Sequence, residues 1–586
     1  MRPSRATVVE ALLVLAAPVV LFLVLRLRAM APPAAPDPAM HTTYIIDPRD
    51  FFARFSSELV PISGAREGAR VGFLVPARLA YLVFGAVRGF FVVRYVFTLV
   101  AIVPSYVLLR RLYGRAAGVV AIVILMSSPV LVTAWGTDYP DSAVVSYLTG
   151  GLACLAMPCR ARAQPAWLAV SAGLFTMAVW SHVEAVPLVA ATMLVYFAIC
   201  LLRTPRRLGP AVLVLGGTVA VVTGTLMVAS GLLLGPFDYI GPTLKAYELL
   251  NNPHVVQVFH SKNPRWILLR PYLLVPAAAE TAWVATFLRR ARTIPTPQLL
   301  IGATCTAQIA AFGYLQFFGN TEVLQQHYYS SGLWAAVCLV LVITVCALAR
   351  PLLDDRLARW TPAALVIALA LVYEADPHLP AFGWWPAGLL IVAGGVVAAG
   401  IGRVASTTGP AARCTAAAAV VVIVGGSLIL TAAPYEHHAP LSGVAVNAVP
   451  AYPTALGGSD GDLIDQYRIA TELPAFVGNS TYPNEHLVMW LPRAHPSKLV
   501  DVIGMYHANI NELPSSPPRL TRQDRTILQA RKPAEVLVFD VRNLPATLHA
   551  LGRYEPTVLR ATVLKSGDLE LHAWLISLGV YMRPSP

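Results

Sequence analysis

The chain has 586 residues, of which 56% are hydrophobic and 13% are charged, and its mean hydropathy is +0.62. This composition is too apolar for a water-soluble globule of that length, so lipid is expected to solvate most of the chain. The formal net charge of +13 does not indicate a nucleic-acid partner, because the basic residues separate apolar segments instead of gathering on one face.

Apolar runs of membrane-spanning length recur from the start of the chain. A helix needs about 20 such residues to cross a hydrocarbon core about 30 Å thick. We interpret the first run as an uncleaved span, because Arg26 and Arg28 replace the small residues of a signal-peptide cleavage site. The count predicts a polytopic α-helical membrane protein with about thirteen spans, near 7–27, 90–109, 116–134, 142–157, 166–181, 183–202, 210–234, 271–288, 298–318, 329–349, 361–373, 383–402 and 414–433.

Clusters of arginine predict the orientation of these spans. Short cytoplasmic loops carry the excess of Lys and Arg, and every cluster follows an even-numbered span. The N-terminus is therefore expected inside and the C-terminal region outside the plasma (inner) membrane. The clusters are Arg110, Arg111 and Arg115; Arg160 and Arg162; Arg203, Arg206 and Arg207; Arg289, Arg290 and Arg292; Arg350, Arg356 and Arg359; and Arg403 and Arg413.

The apolar segment 71–87 is interpreted differently from the spans. It contains Pro76 and Arg78, and counting it as a span would invert every later loop. We expect a helix lying along the outer interface. Two long outer loops, 28–89 and 235–270, would then cover the helix bundle of residues 1–433.

The C-terminal region has the composition of a globular domain. A Pro/Gly-rich linker at 434–461 precedes residues 462–586, in which the runs HLVMWL, AEVLVFD, PTVLRATVL and LELHAWLISL alternate with helix-like stretches. The helix-like stretches are 462–473, 521–530 and 544–551. This pattern predicts a small extracytoplasmic α/β domain. No Gly-rich phosphate loop follows its strands, and the seven cysteines of the chain show no metal-ligand spacing.

Polar candidates for chemistry gather in the loops that the topology places outside. Ionisable groups are costly near a membrane, so carboxylates and cations held there indicate a functional site. The candidates are Asp47 and Asp50 in the first outer loop, Asp138 and Asp141 in the second, His182 and Glu184 in the third, Lys262, Arg265 and Arg270 in the fourth, and Gln325, His327 and Tyr328 in the fifth.

Such a set suits the transfer of a group to a hydroxyl. One carboxylate would remove the acceptor proton, while others would orient the sugar or bind a divalent cation such as Mg, Mn or Ca. The fourth-loop cations would stabilise the phosphate that leaves a lipid-linked donor. Structural roles stay open: helix capping for the aspartates, an interfacial turn for His182 and Glu184, an aromatic belt in the fifth loop, and lipid headgroup binding in the fourth.

The arrangement of residues 47–157 resembles the GT-C superfamily of integral-membrane glycosyltransferases. The likeness comprises DPRDFFARF after the first span, the interfacial stretch RVGFLVPARLAYLVFG, the basic turn YVLLRRLYGR, SSPVLVTAW, and TDYPDSA opening the fourth span. It implies a polyprenyl-phosphate sugar donor and a first-loop aspartate base, here Asp47 or Asp50. This chain has Asp-Pro-Arg-Asp where the family has adjacent acids. Asp138 matches the family's second acid better than Asp141 does.

The leading hypothesis is therefore an inverting membrane glycosyltransferase. It would move a sugar from a polyprenyl-phosphate carrier to a glycan, lipid or protein acceptor of the cell envelope. A transporter or flippase of lipid-linked sugars is the alternative, although transporters keep polar groups near the middle of the membrane and these acids lie at one rim. A non-catalytic envelope-assembly protein is a third hypothesis.

Overall fold

The structure is a computed structural model, and it describes the following residues: 5–24, 41, 44–45, 48, 70–136, 140–158, 163–235, 274–287, 294–319, 321, 323–324, 330–353, 476, 487–490, 511–513, 515–539, 543–566 and 569–582. The predicted spans 361–373, 383–402 and 414–433, the linker 434–461, the loop 235–270 beyond Gly235 and the helix-like stretch 462–473 lie outside the described residues. Most of the first outer loop does too.

Helices follow most of the predicted spans up to residue 353. Four described segments are long and apolar enough to cross a membrane, namely Arg88–Tyr113, Ala185–Arg203, Pro205–Leu233 and Thr296–Phe317. The helices are α1 (Arg5–Val24), α2 (Val71–Phe84), α3 (Ala86–Tyr113), α4 (Arg115–Ser127), α5 (Pro129–Gly136), α6 (Asp141–Leu155), α7 (Gln164–Ser181), α8 (Ala185–Arg203), α9 (Leu208–Leu233), α10 (Leu274–Phe287), α11 (Thr296–Phe317) and α12 (Trp334–Leu353).

Local sequence explains where several of these helices break. Gly85 ends α2 and Gly114 separates α3 from α4, and both have left-handed backbone, with φ of 77° and 96°, which glycine adopts without steric cost. The predicted span 116–134 differs from the structure, since it forms two helices, α4 and α5. Ser128 is extended there because the residue before a proline is pushed out of the helical region.

Two compact units divide the chain. One comprises Met1–Leu27, Ala69–Leu79 and Phe91–Ala455, and the other comprises Arg28–Gly68, Ala80–Phe90 and Leu456–Pro586. We call them the helical unit and the second unit. In the helical unit α6 is buried at every one of its 15 residues, whereas α9 is largely exposed. A helix buried on all sides lies at the centre of a bundle, so α6 is the central helix.

Arginines meet at one end of the helical unit. Arg111 donates from Nη1 to the carbonyl of Pro158, beyond the end of α6, at 3.2 Å. Arg203, at the end of α8, donates to the carbonyl of Ile294 before α11 at 2.8 Å. Loops from several helix pairs therefore share this end of the unit. We call it the basic end, defined by Arg110, Arg111, Arg115, Arg203 and Arg207.

Glu10 of the first helix interacts with residues of the basic end. Its carboxylate lies 2.8 Å from Arg110 Nη1 and 3.0 Å from Arg115 Nε, and it accepts a hydrogen bond from the Tyr106 hydroxyl at 2.9 Å. Glu10 is the only acidic residue of α1. An acid within an apolar helix thus has three partners on the next helices, which compensates for its desolvation.

The described part of the second unit contains a five-stranded mixed sheet. Its strands are β1 (Leu487–Trp490), β2 (Asn511–Glu512), β3 (Glu535–Phe539), β4 (Pro556–Ser566) and β5 (Leu569–Leu578), in the order β2-β1-β3-β5-β4. β1 runs parallel to β2 and β3, and β5 runs antiparallel to β3 and β4. The four apolar runs of the sequence form β1, β3, β4 and β5, while β2 has only two residues and was not predicted.

Helices α13 (Arg522–Arg531) and α14 (Leu544–Ala550) accompany this sheet, and the four-residue α15 (Gly579–Met582) follows β5. The start of α13 is a capping box: the Thr521 hydroxyl accepts from the Asp524 amide, and the Asp524 carboxylate accepts from Thr521. Asp524 also accepts from the Ser515 amide at 3.1 Å. Burial favours the neutral acid, but the hydrogen bonds from Ser515 and Thr521 together hold the pKa of Asp524 below its usual value. The core beside the helices consists of Val488, Trp490, Leu513, Leu528, Val536, Val538, Leu551, Tyr554, Ile576 and Leu578.

Candidate functional site

The central helix brings an acid to the end of the helical unit opposite the basic end. Asp141 is the first residue of α6, directly after Pro140, and only 6% of its surface is exposed. The unpaired amides at a helix start favour a negative charge there. Asp141 therefore occupies the helix position at which an acidic side chain is most favourable.

The turn between α7 and α8 lies at the level of Asp141. α6 and α7 run in opposite directions and pack closely, since the Ser171 hydroxyl donates to the carbonyl of Gly151 at 2.8 Å and Gly151 faces the ring of Phe175. Asp141 lies ten residues before Gly151 on α6. The turn 182–184 lies about ten residues after the part of α7 that contacts Gly151. Because the helices are antiparallel, both steps lead toward the same end of the bundle. The acid and the turn are thus at the same height in the bundle.

A histidine and a glutamate of that turn interact directly. His182 Nδ1 lies 3.4 Å from Glu184 Oε2, and the unprotonated nitrogen accepts from the Glu184 amide at 3.4 Å. His182 is buried, whereas Glu184 is half-buried. The contact with Oε2 is an ion pair only when the imidazole is protonated. A protonated imidazole is positively charged and therefore attracts carboxylate and phosphate oxygens.

The first turn of α2 packs against the same end of α7. A Cβ on Gly72 would collide with the carbonyl of Met177 and lie 2.6 Å from the Ser181 hydroxyl, so only glycine permits this approach. The Tyr147 hydroxyl of α6 donates to the Gly72 carbonyl at 3.2 Å. Buried Arg70, just before α2, is held at this level by the same packing.

Two further serines lie at this end. Ser330 and Ser331 are buried immediately before α12. A Cβ on Gly332 would lie 2.8 Å from Leu188 and 3.4 Å from Leu148, which places the turn between the first turns of α6 and α8. We call this region the polar end, defined by Asp141, His182, Glu184, Ser330 and Ser331.

Three of the predicted site residues therefore lie in the described part of the helical unit, and all three are at the polar end: Asp141, His182 and Glu184. The packing of α6 on α7 puts them at the same height in the bundle although 41 positions separate Asp141 from His182 in the sequence. The remaining predicted residues lie outside the described residues. They are Asp47, Asp50, Asp138, Lys262, Arg265, Arg270, Gln325, His327 and Tyr328.

Sequence reasoning missed two buried cations of the helical unit. Arg70 is 6% exposed, and Arg94, within α3, is 2% exposed. The signal for Arg94 was present in the sequence, since this arginine interrupts the apolar run FFVVRYVFTLV. Charges within a membrane span are costly and commonly functional.

Within the described residues, no group of three or more His, Cys, Asp or Glu side chains is arranged to hold a metal ion. The predicted divalent cation would need ligands of that kind, because Mg²⁺ and Ca²⁺ take oxygen ligands. The cation stays a prediction.

The chain is similar to solved structures of an ArnT and of an archaeal oligosaccharyltransferase. One is ArnT from Cupriavidus metallidurans bound to undecaprenyl phosphate, with a TM-score of 0.47 and 14% identity over 98% of this chain and 99% of that one. The Archaeoglobus fulgidus oligosaccharyltransferase AglB, in complex with an inhibitory peptide and a dolichol-phosphate, has a TM-score of 0.42 and 11% identity, over 90% of this chain and 69% of that one. An Archaeoglobus fulgidus oligosaccharyltransferase in complex with Zn and sulfate has a TM-score of 0.39 and 12% identity, over 90% of this chain and 67% of that one. No family model and no curated protein matches the sequence.

Proposed function

We propose that this protein is a membrane glycosyltransferase that takes a sugar from a polyprenyl-phosphate donor and adds it to a hydroxyl of a cell-envelope acceptor. The observation that carries the proposal is the polar end, where Asp141, His182 and Glu184 are gathered opposite the arginines of the basic end. The positive-inside rule assigns the basic end to the cytoplasm, so the polar end and the reaction face the extracytoplasmic side.

The reaction is an inverting displacement in this proposal. A first-loop aspartate, Asp47 or Asp50, removes the proton of the acceptor hydroxyl, whose oxygen attacks the anomeric carbon of the donor sugar. The bond from that carbon to the phosphate oxygen breaks, and its electron pair leaves with the polyprenyl phosphate. Asp138 assists as the second acid, while Asp141, His182 and Glu184 bind the sugar. Lys262, Arg265 and Arg270, with Gln325, His327 and Tyr328, complete the substrate contacts of the proposal.

Transport of a lipid-linked sugar is the competing function, and the placement of Asp141 and Glu184 favours the enzyme instead. Asp141 and Glu184 lie at helix ends, whereas a transporter binds its substrate near the middle of the membrane at broken helices. The enzyme hypothesis needs acids at one rim, where an acceptor from the aqueous side meets a donor held in lipid.

A reconstituted assay tests this function. Purified protein in liposomes receives undecaprenyl-phosphate hexose and an extract of envelope glycans, and release of undecaprenyl phosphate is measured. We expect release by the wild type, loss with Asp47→Asn or Asp138→Asn, and weakened donor use with Asp141→Asn. Glu555→Gln, at an exposed carboxyl of the second unit, is the matched control and should keep full activity. Movement of the intact donor across the vesicle without release would establish transport instead.

A further inference from the structure

The end of α5 is joined to α6 by a hydrogen bond between two fully buried side chains. Trp135, the next-to-last residue of α5, donates from Nε1 to the Ser146 hydroxyl at 2.9 Å, and both residues are 0% exposed. A buried indole N–H needs an acceptor, because no solvent replaces a partner that is lost. This bond therefore holds α5 to α6 more firmly than an exposed contact would.

The Ser146 hydroxyl extends this contact to the first turn of α6. It donates at 2.6 Å to the carbonyl of Ser142, four residues earlier on the same helix. Ser142 is 1% exposed and directly follows Asp141. One hydroxyl thus accepts from Trp135 and donates to the first turn, and hydrogen bonds linked in this way strengthen one another.

The first turn of α6 depends on contacts from outside the helix. The first four amides of a helix have no partner within it, so a helix start frays where nothing else holds it. Asp141 is the first residue of α6. Side chains of a helix lean toward its N-terminus, so Ser146 connects Trp135 to the turn that presents Asp141.

From this geometry we infer that Trp135 is a positioning residue that acts through Ser146 to hold the carboxylate of Asp141 where it binds the donor sugar, an inference that rests on the proposed function. The fully buried indole acts at a distance from the sugar, through the hydroxyl that it contacts. A displaced binding group loses affinity although its own chemistry is unchanged. Loss of the bond from Trp135 to Ser146 should therefore raise KM for the donor more than it lowers kcat.

Donor kinetics in liposomes test this role. KM and kcat for undecaprenyl-phosphate hexose are measured for wild type, Trp135→Phe and Ser146→Ala, which remove the bond from opposite sides. Each variant should raise KM about 3- to 10-fold, the loss expected for one buried hydrogen bond, and should change kcat less than about twofold. Ser146→Ala removes a single oxygen atom, so it decides the question if Trp135→Phe does not fold.

A second indole supplies the matched control. Trp180 Nε1 donates at 3.2 Å to the Thr223 hydroxyl, a bond that joins α7 to α9 instead of α5 to α6. Trp180→Phe removes the same atoms as Trp135→Phe and should leave the donor KM within about twofold of wild type. A double-mutant cycle shows whether the effect passes through Asp141, because Trp135→Phe should raise KM no further in the Asp141→Asn background.

Four outcomes decide the matter. A raised KM in Trp135→Phe and Ser146→Ala that is absent from Trp180→Phe and from the Asp141→Asn background supports the inference. An unchanged KM in both folded variants, beside an active wild type, overturns the inference and leaves the proposed function standing. A KM effect that persists in the Asp141→Asn background, or that Trp180→Phe shares, also overturns it, because the bond would then serve general stability. If wild type itself releases no undecaprenyl phosphate, the proposed function fails, and the role of Trp135 fails with it.

Discussion

Replacing Gly150 with alanine should destabilise the helical unit, because α3 and α6 touch backbone to backbone at this glycine. A Cβ there would collide with the carbonyl oxygen of Val100 and lie 3.2 Å from the Leu174 side chain. The carbonyl belongs to a helix and cannot rotate away, so the two helices would have to separate. Overpacking of this kind costs about 1–3 kcal/mol.

A second glycine supplies the matched control. Gly224 lies on the exposed side of α9, and a Cβ there meets nothing within 4 Å. Gly→Ala in a helix interior gains about 0.5–1 kcal/mol of intrinsic stability, and this gain is common to both variants. The difference in unfolding free energy between Gly224→Ala and Gly150→Ala therefore isolates the overpacking, about 1–3 kcal/mol.

Unfolding in mixed detergent micelles measures this difference. We expect the Gly224→Ala midpoint at or above that of wild type and the Gly150→Ala midpoint below it. Folded Gly150→Ala should also turn over the donor more slowly than wild type, because separation of α3 from α6 displaces Asp141. Equal midpoints for the two variants would refute the close approach of α3 and α6 at Gly150.

Three further predictions concern single contacts. Glu10→Gln should lower the stability of the helical unit by up to about 1 kcal/mol, since its ion pairs are partly exposed, and an unchanged unfolding midpoint in detergent would contradict it. Tyr147→Phe should cost about 0.5–1.5 kcal/mol in the same measurement, because the hydrogen bond to the Gly72 carbonyl is lost while the ring remains; a neutral change would show that this bond contributes nothing. Asp524→Asn should weaken amide protection over α13 in full-length protein above pH 5. The pKa of Asp524 is lowered by folding, so its stabilisation is present above the unfolded pKa of about 3.9 and is lost as pH falls through the folded value. Wild type and variant should accordingly converge in acid, and a constant gap down to low pH would count against this assignment.

The helices of the first 353 residues were largely predictable, because apolar runs and the residues that end them are local features of the sequence. Gly85 and Gly114 mark helix ends through their own backbone freedom. The buried strands β1 and β3 of the second unit follow from short apolar runs. The break of one span at Pro129 was missed, since the apolar run continues through the proline. Hydrophobicity reports solvation by lipid but does not report backbone geometry.

The candidate site was predictable only as a set of polar residues in alternate loops. That Asp141 and the turn of His182 lie at one height depends on the antiparallel packing of α6 on α7, which no local pattern encodes. Arg94 was overlooked for a related reason. An arginine in an apolar run can face lipid or protein, and the choice depends on the faces that α2 and α6 present to it.

The three-way contact of Glu10 has a consequence for biosynthesis. Its hydroxyl partner Tyr106 lies 96 residues later in the chain, and both arginine partners emerge later still. At a synthesis rate of about 5–20 residues per second, the first helix waits roughly 5–20 s before any of them leaves the ribosome. During that interval the nascent helix carries an uncompensated acid, which argues for its retention beside the insertion machinery until α3 arrives.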